Sequence, residues 1–303
     1  MQPTITSTTT SHTVHVPAED SLLFIGTATV LIRYAGMTIL TDPNFIHAGE
    51  RVPIGYGLMS RRRTDPALDI ERLPQLDAVV LSHLHGDHFD RVAEQGLDRD
   101  VPLLAPPSAA TVLDRRGFRA TEGLRTWQST HVDGGTGGSL TVTALPGRHA
   151  ARLIAPLFPS VMSSLLEFQP AADSPAARPL RIYISGDSLV DETLRRTRER
   201  VGPIDLAILH LGGTRILGIK LTMDGRDGVE ALRMLTPRFA LPVHYDDYPV
   251  FRSPLSDFQQ EVEAAGLGAL VRSVGRGETL PLVFEPTASE LAVAAVRAAV
   301  GDS

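Results

Sequence analysis

The chain contains no cysteine. Disulfide scaffolds, thiol catalysis, iron–sulfur clusters and thiolate zinc sites are therefore excluded. Any metal has to be held by His, Asp or Glu. An excess of positive charge is also missing: 29 basic residues face 35 acidic ones, for a net charge of −6. That balance predicts no general attraction to nucleic acid or to an anionic membrane surface. No apolar run approaches the roughly 18 residues of a spanning helix, so no integral membrane segment is expected. The first twenty residues lack the basic start and apolar stretch of a signal peptide, which makes cytoplasmic residence the default expectation. What remains is ordinary for a soluble globular chain: 303 residues, 43% hydrophobic and 21% charged. That length suits one large domain or two fused halves.

Residues 1–12 are rich in Thr and Ser and read as a disordered tail. Apolar runs at Leu22–Ile25, Val30–Tyr34 and Met37–Leu40, the last set off by Gly36, read as antiparallel strands. Phe45–Pro66 is a long connection carrying the basic run Arg61, Arg62, Arg63, and loops of that length are usually functional. Further strands are expected at Ala78–Leu81, Leu140–Leu145, Ser163–Phe168, Leu180–Ile184, Leu206–Leu209, Phe239–Val243, Leu270–Val274 and Leu280–Phe284. Helices are expected at Ser108–Arg116, Val190–Arg200, around Val229–Leu235 and from Pro254 to Gly266. A last helix falls within 287–303. Mixed strands and helices predict an α/β sandwich of sheets covered by helices.

The decisive stretch is DAVVLSHLHGDH, which brings His83, His85, Asp87 and His88 into one turn. Random placement of H-x-H-x-D-H in such a chain has a chance of roughly one in a thousand. Two imidazoles cannot complete a tetrahedral ion, so further ligands must come from elsewhere. His149, Asp187, His210 and His244 each lie at the carboxyl end of an expected strand, as His83 does. An α/β architecture commonly places its site on that edge.

LTDP at Leu40–Pro43, SHLHGDH at Ser82–His88, RH at Arg148–His149, SGD at Ser185–Asp187 and PVHYDDY at Pro242–Tyr248 together resemble the metallo-β-lactamase superfamily. The similarity runs over most of residues 20–285. It is greatest to the branch holding N-acylphosphatidylethanolamine-hydrolysing phospholipase D and ascorbate-6-phosphate lactonase. The resemblance implies an αββα sandwich over 13–286, made of two similar halves, with a binuclear metal site at one edge and the last helix packed on the domain. It implies that His83, His85 and His149 bind a first metal and that Asp87, His88 and His244 bind a second, with Asp187 bridging both. Such nitrogen and oxygen donors suit Zn²⁺ best and also accommodate Mn²⁺ or Fe²⁺.

The activity so implied is hydrolysis of a small-molecule ester, lactone, phosphodiester or amide by a metal-bridging hydroxide. Asp87 would receive the proton, and His210 reads either as a buried structural histidine or as a substrate contact that assists the leaving group. Asp42, just before Pro43, reads as a turn former or as the group that orients a ligand histidine from outside the ligand set. Phe45, Tyr56, Arg63, Leu153 and Tyr245 are the candidate substrate contacts, with the apolar stretch Leu153–Met162 as a wall, lid or piece of core. Arg61–Arg63 reads as an anion site or a solvated face, and Asp246 and Asp247 as substrate contacts or turn residues. His47 and His131 read as solvated. Two rivals stay open: a metal-binding module or sensor without hydrolytic activity, and a metal-dependent oxidoreductase. Assembly into a homo-oligomer is left open.

Overall fold

The computed structural model describes residues 20–55, 57–135, 137–149, 160–172, 178–216 and 218–283. The expected N-terminal tail, the last helix, Tyr56 and Leu153 lie outside them. The first half runs through β1 (Ser21–Gly26), β2 (Thr29–Tyr34), β3 (Met37–Thr41), a small hairpin of β4 (Arg51–Pro53) and β5 (Met59–Arg61), β6 (Ala78–Val80), α1 (Arg91–Gly96), β7 (Leu103–Ala105), α2 (Pro107–Arg115) and β8 (Thr121–Gly123). The second half contains β9 (Ser129–Asp133), β10 (Ser139–Pro146), β11 (Met162–Gln169), β12 (Leu180–Ile184), α3 (Glu192–Val201), β13 (Leu206–His210), β14 (Arg215–Ile216), β15 (Ile219–Lys220), α4 (Gly225–Leu235), β16 (Phe239–Val243), α5 (Leu255–Ala264) and β17 (Thr279–Pro281).

Two sheets result. One has the order β17-β1-β2-β3-β6-β7-β8 and the other β16-β13-β12-β11-β10-β9. Their strands are apolar on both faces because both faces are covered. In β1, Leu22 and Phe24 enter the core between the sheets, while Leu23 and Ile25 pack toward the helices. The inter-sheet core joins Val30, Ile32 and Ile39 of one sheet to Leu140, Leu166 and Ile182 of the other. Outside the first sheet lie Ala109, Ala110 and Leu113 of α2. Outside the second lie Val229, Leu232 and Leu235 of α4 with Phe258 and Val262 of α5. The layering is therefore α, β, β, α, as expected.

Local chemistry sets the turns. β2 and β3 join through Ala35 and Gly36, both at positive φ (54° and 74°), in the manner of a tight hairpin turn. α4 opens on a capping box, with the Asp224 side chain accepting from Asp227 N and the Asp227 side chain accepting from Asp224 N.

The sheets start antiparallel and become parallel. β3, β6, β7 and β8 pair in parallel, as do β12, β13 and β16. The carboxyl ends of β3 and β6 thus share one edge of the first sheet. β10 and β12 each pair antiparallel to β11. Their carboxyl ends therefore share an edge of the second sheet with those of β13 and β16.

One expectation needs correction. Leu270–Val274 is not a strand: Gly268–Leu270 forms a 3-10 turn and only Val271 bridges, to Ala240. The stretch is half-exposed and turns into Gly275, so it lacks a buried face to hold a longer ladder. The connection 45–66 contains a short hairpin of β4 and β5. Among the described residues, no helix is long and apolar enough to cross a membrane.

Phe168 ties the sheets together. It is fully buried and meets Tyr34 edge-on, with ring centroids 5.7 Å apart. Phe168→Ala is expected to cost about 3–5 kcal/mol by transfer and cavity terms. Urea unfolding with an unchanged slope and a lower midpoint is the expected result.

Candidate metal centre

The predicted ligands converge at the shared edge. His83, His85, Asp87 and His88 come from the loop between β6 and α1. Gly86 lets that loop pass under the β4–β5 hairpin: a Cβ there would meet Pro53 O at 2.7 Å, and Gly86 N donates to the same carbonyl at 2.8 Å. His149 follows β10, Asp187 follows β12 and His244 follows β16. Both His83, His85 and His149 and the set Asp87, His88, Asp187 and His244 offer donor atoms within 4.8 Å of one another, every residue buried.

Short polar contacts orient the rings, beginning with His83 Nδ1, which lies 3.1 Å from Ser82 Oγ. His83 Nε2 faces His85 Nδ1 at 3.1 Å, and His149 Nδ1 lies 3.1 Å from the Asp187 carbonyl oxygen. Asp187 sits between the two sets. Its Oδ2 is 3.9 Å from His83 Nε2 and 3.3 Å from His88 Nε2, and its Oδ1 is 3.6 Å from His244 Nδ1. Asp87 Oδ2 is 3.6 Å from His244 Nε2.

Asp42 lies one layer out, at φ 37° just after β3. Its Oδ1 accepts from Ser82 N at 2.7 Å and from the Ser82 hydroxyl at 3.0 Å. Its Oδ2 is 3.4 Å from His88 Nδ1 and 3.5 Å from His210 Nε2. His210 is fully buried, with Nδ1 3.1 Å from Ser185 Oγ and its ring stacked on His88 at 5.9 Å.

The electrostatics favour a cation. Burial holds His85 down at about 4, and burial also lowers His83 and His149, so these imidazoles are neutral. Burial works against the carboxylates too, yet neighbouring imidazoles overcome it. His244 and His88 bring Asp187 well below its ordinary value, and His88 with His210 brings Asp42 to about 2. His88 goes the other way: burial lowers it, but Asp187 and then Asp42 and Asp87 pull it well above its usual value. Neutral imidazoles beside ionised carboxylates are the forms in which these groups ligate metals.

Buried Nε2 of His88, both ring nitrogens of His244, and Oδ1 of Asp87 and of Asp187 have no hydrogen-bond partner. Such orphans are costly unless something satisfies them. Their number, type and mutual proximity fit divalent ions.

The candidate substrate contacts are scattered. Phe45 is buried in the cluster beneath the helices of the first half. Tyr245 belongs to the inter-sheet core, its ring centroid 6.2 Å from that of Phe24, and burial pushes its phenol up to about 12. Arg63 is exposed, whereas its neighbour Arg62 is 1% exposed and bonded to the carbonyls of Asn44 and Ile46. The basic run is thus neither wholly solvated nor an open anion site. Exposed His47 pairs with Asp65 and Asp69, and exposed His131 with Asp133.

The sequence reading did not single out Thr27, Asn44 or Asp90. Asn44 Nδ2 donates to Gly86 O and to Asp90 Oδ2, both at 3.0 Å, and its Oδ1 accepts from Thr27 and Tyr248. The only hint in the sequence is the placement of Asn44 directly after LTDP.

Comparison with known proteins agrees with this geometry. The chain is 25% identical over 267 residues to a metal-dependent hydrolase of Carboxydothermus hydrogenoformans, covering 86% of this chain and 99% of that one. It is 24% identical over 238 residues to N-acyl-phosphatidylethanolamine-hydrolyzing phospholipase D 1 of Caenorhabditis elegans, covering 75% of this chain and 64% of that one. A possible metal-dependent hydrolase from Veillonella parvula superposes with a TM-score of 0.72 at 21% identity, covering 88% of this chain and all of that one. The family model described as the beta-lactamase superfamily domain matches residues 38–245, from β3 through the last predicted ligand to Tyr245. The chain therefore belongs to the metallo-β-lactamase superfamily.

Proposed function

We propose that the protein is a binuclear metal-dependent hydrolase of a small-molecule ester, lactone, phosphodiester or amide. The observation that carries this reading is the buried convergence of imidazoles and carboxylates from both halves, with Nε2 of His85 and His88, both ring nitrogens of His244 and Oδ1 of Asp87 and Asp187 left without a hydrogen-bond partner. The names of the relatives reported above support it. His83, His85 and His149 would hold one ion, Asp87, His88 and His244 the other, and Asp187 would span them. Zinc suits such a mixed nitrogen and oxygen donor set, and manganese or iron is the next choice. Bound there, two divalent ions would supply a hydroxide nucleophile at neutral pH and a Lewis acid for the substrate oxygen.

The chain's own groups do the rest. Asp87, buried at the centre with Oδ1 lacking a hydrogen-bond partner, would be the carboxylate that receives the proton of the nucleophilic water. Asp42 Oδ2 receives His88 Nδ1 and so turns Nε2 of that ring toward Asp187. His210 Nε2 lies 3.5 Å from that same Asp42 oxygen and so helps to hold it. Its full burial and its contacts with Ser185 and Asp42 favour that holding role over protonation of a leaving group.

The reading predicts two metals per chain after reconstitution. Elemental analysis giving less than half an ion per chain would sink it. Turnover is to be sought with esters, lactones, phosphodiesters and amides on zinc-loaded protein. Two tightly held ions and no turnover of any class would favour a binding module or sensor.

Asp187→Asn tests the bridge. The substitution keeps the shape of the side chain but removes the charge between two cations, a loss on the order of 3–5 kcal/mol in a buried setting. The variant is expected to lose one metal and nearly all turnover, with unchanged circular dichroism. Two retained metals at wild-type activity would remove Asp187 from the centre.

A further inference from the structure

Behind the ligands lies a second buried polar system that the metal reading does not use. Its centre is Asp247, which has no exposed surface. Asp247 Oδ2 accepts from Thr27 N at 2.8 Å. Asp247 Oδ1 accepts from Arg276 Nη2 at 3.1 Å and from the Thr64 hydroxyl, and lies 3.5 Å from Arg62 Nη2. A buried arginine is rare unless it is paired, and here Arg62 is held by two carbonyls as well as by this carboxylate.

Thr27 in turn holds a predicted ligand. Its carbonyl accepts from His244 N at 2.7 Å. Both residues have left-handed backbone, with φ of 52° for Thr27 and 61° for His244. For residues other than glycine this conformation is strained, because Cβ crowds the following carbonyl oxygen. Such strain persists only where the surroundings over-determine it, and it gathers at functional sites. The over-determination here is reciprocal. The turn at 244–247 gives the His244 amide to Thr27 and takes the Thr27 amide on Asp247. Two strained turns from opposite halves thereby lock each other, and the two guanidinium groups hold the carboxylate in place.

We infer that Asp247 is a positioning residue for the second metal, acting through Thr27 to fix His244 where its ring nitrogens lie 3.6 Å from Asp87 and from Asp187. The inference rests on the binuclear reading above. It assigns the buried acid beside a ligand to alignment of that ligand, and not to substrate contact or to a simple turn.

The test compares Asp247→Ala with Asp247→Asn, both in a chain carrying Arg276→Gln. That background leaves Arg62 as the one guanidinium facing Asp247 when the carboxylate is removed, and both variants share that cost. Zn²⁺ and Co²⁺ are titrated into metal-free protein against a chelator. Circular dichroism reports the fold, and cobalt absorption reports each site. Asparagine retains an oxygen for Thr27 N, so Asp247→Asn should bind both metals within about twofold of its background. Asp247→Ala should weaken one metal about 10- to 100-fold, leave the other unchanged and alter the cobalt spectrum of the weakened site.

The inference is overturned if Asp247→Ala binds both metals as tightly as Asp247→Asn. It is equally overturned if Asp247→Ala loses both metals alike or loses the fold, since Asp247 is then purely structural. His244→Ala separates the two levels. Loss of the second metal in His244→Ala but not in Asp247→Ala removes only this inference. One metal or none in the unsubstituted chain removes the binuclear reading and this inference with it.

Discussion

Asp187 stands within 4 Å of imidazoles contributed by both halves of the chain, with almost no contact with water. A carboxylate in that position is costly to bury alone, and imidazoles crowded together repel once protonated. Each group is tolerable only because the other is present. Asp87 repeats the pattern against His244, and Asp42 repeats it one layer out against His88 and His210. The centre is thus a balance of opposite tendencies, and removing any one carboxylate leaves imidazoles facing one another. The same field that draws a proton to His88 is suited to draw a doubly charged ion.

The sandwich exists, in this sense, to bring strand ends together. Parallel pairing puts the ends of β12, β13 and β16 on one line and the ends of β3 and β6 on another. The apolar core between the sheets presses those lines against each other. What pairing alone cannot do is turn the side chains inward from the strand ends. Positive φ at Thr27, Asp42 and His244 does that, and buried hydrogen bonds sustain it. Rigid strands set position, and short strained turns set aim.

The clustered His and Asp residues were legible because few other roles bring that many imidazoles and carboxylates together. His-x-His-x-Asp-His is rare by chance, and a His or Asp just past an apolar run marks a strand end. The long strands were legible for a similar reason, since Leu22–Ile25 and Leu206–Leu209 are continuous apolar runs. Thr121–Gly123 and Ser129–Asp133 were not, because short strands at or near a sheet edge carry mixed polar residues with no period to read. Nor could Arg62 be told from Arg61 and Arg63. Three identical residues in a row differ only in which of them the hairpin turns inward. Asp247 posed the same problem beside Asp246, as pairing across the whole chain decides which one is buried.

Thr27 and Asp247 are joined across 220 positions of sequence. A chain leaving the ribosome would present the His83–His88 cluster long before His244 has been made. Until the last strands dock, the early histidines have no counterpart from the second half and no settled backbone around them. Contacts this far apart in sequence form late and slowly. The complete cluster of imidazoles and carboxylates is therefore a property of the finished molecule and of no earlier stage of the chain.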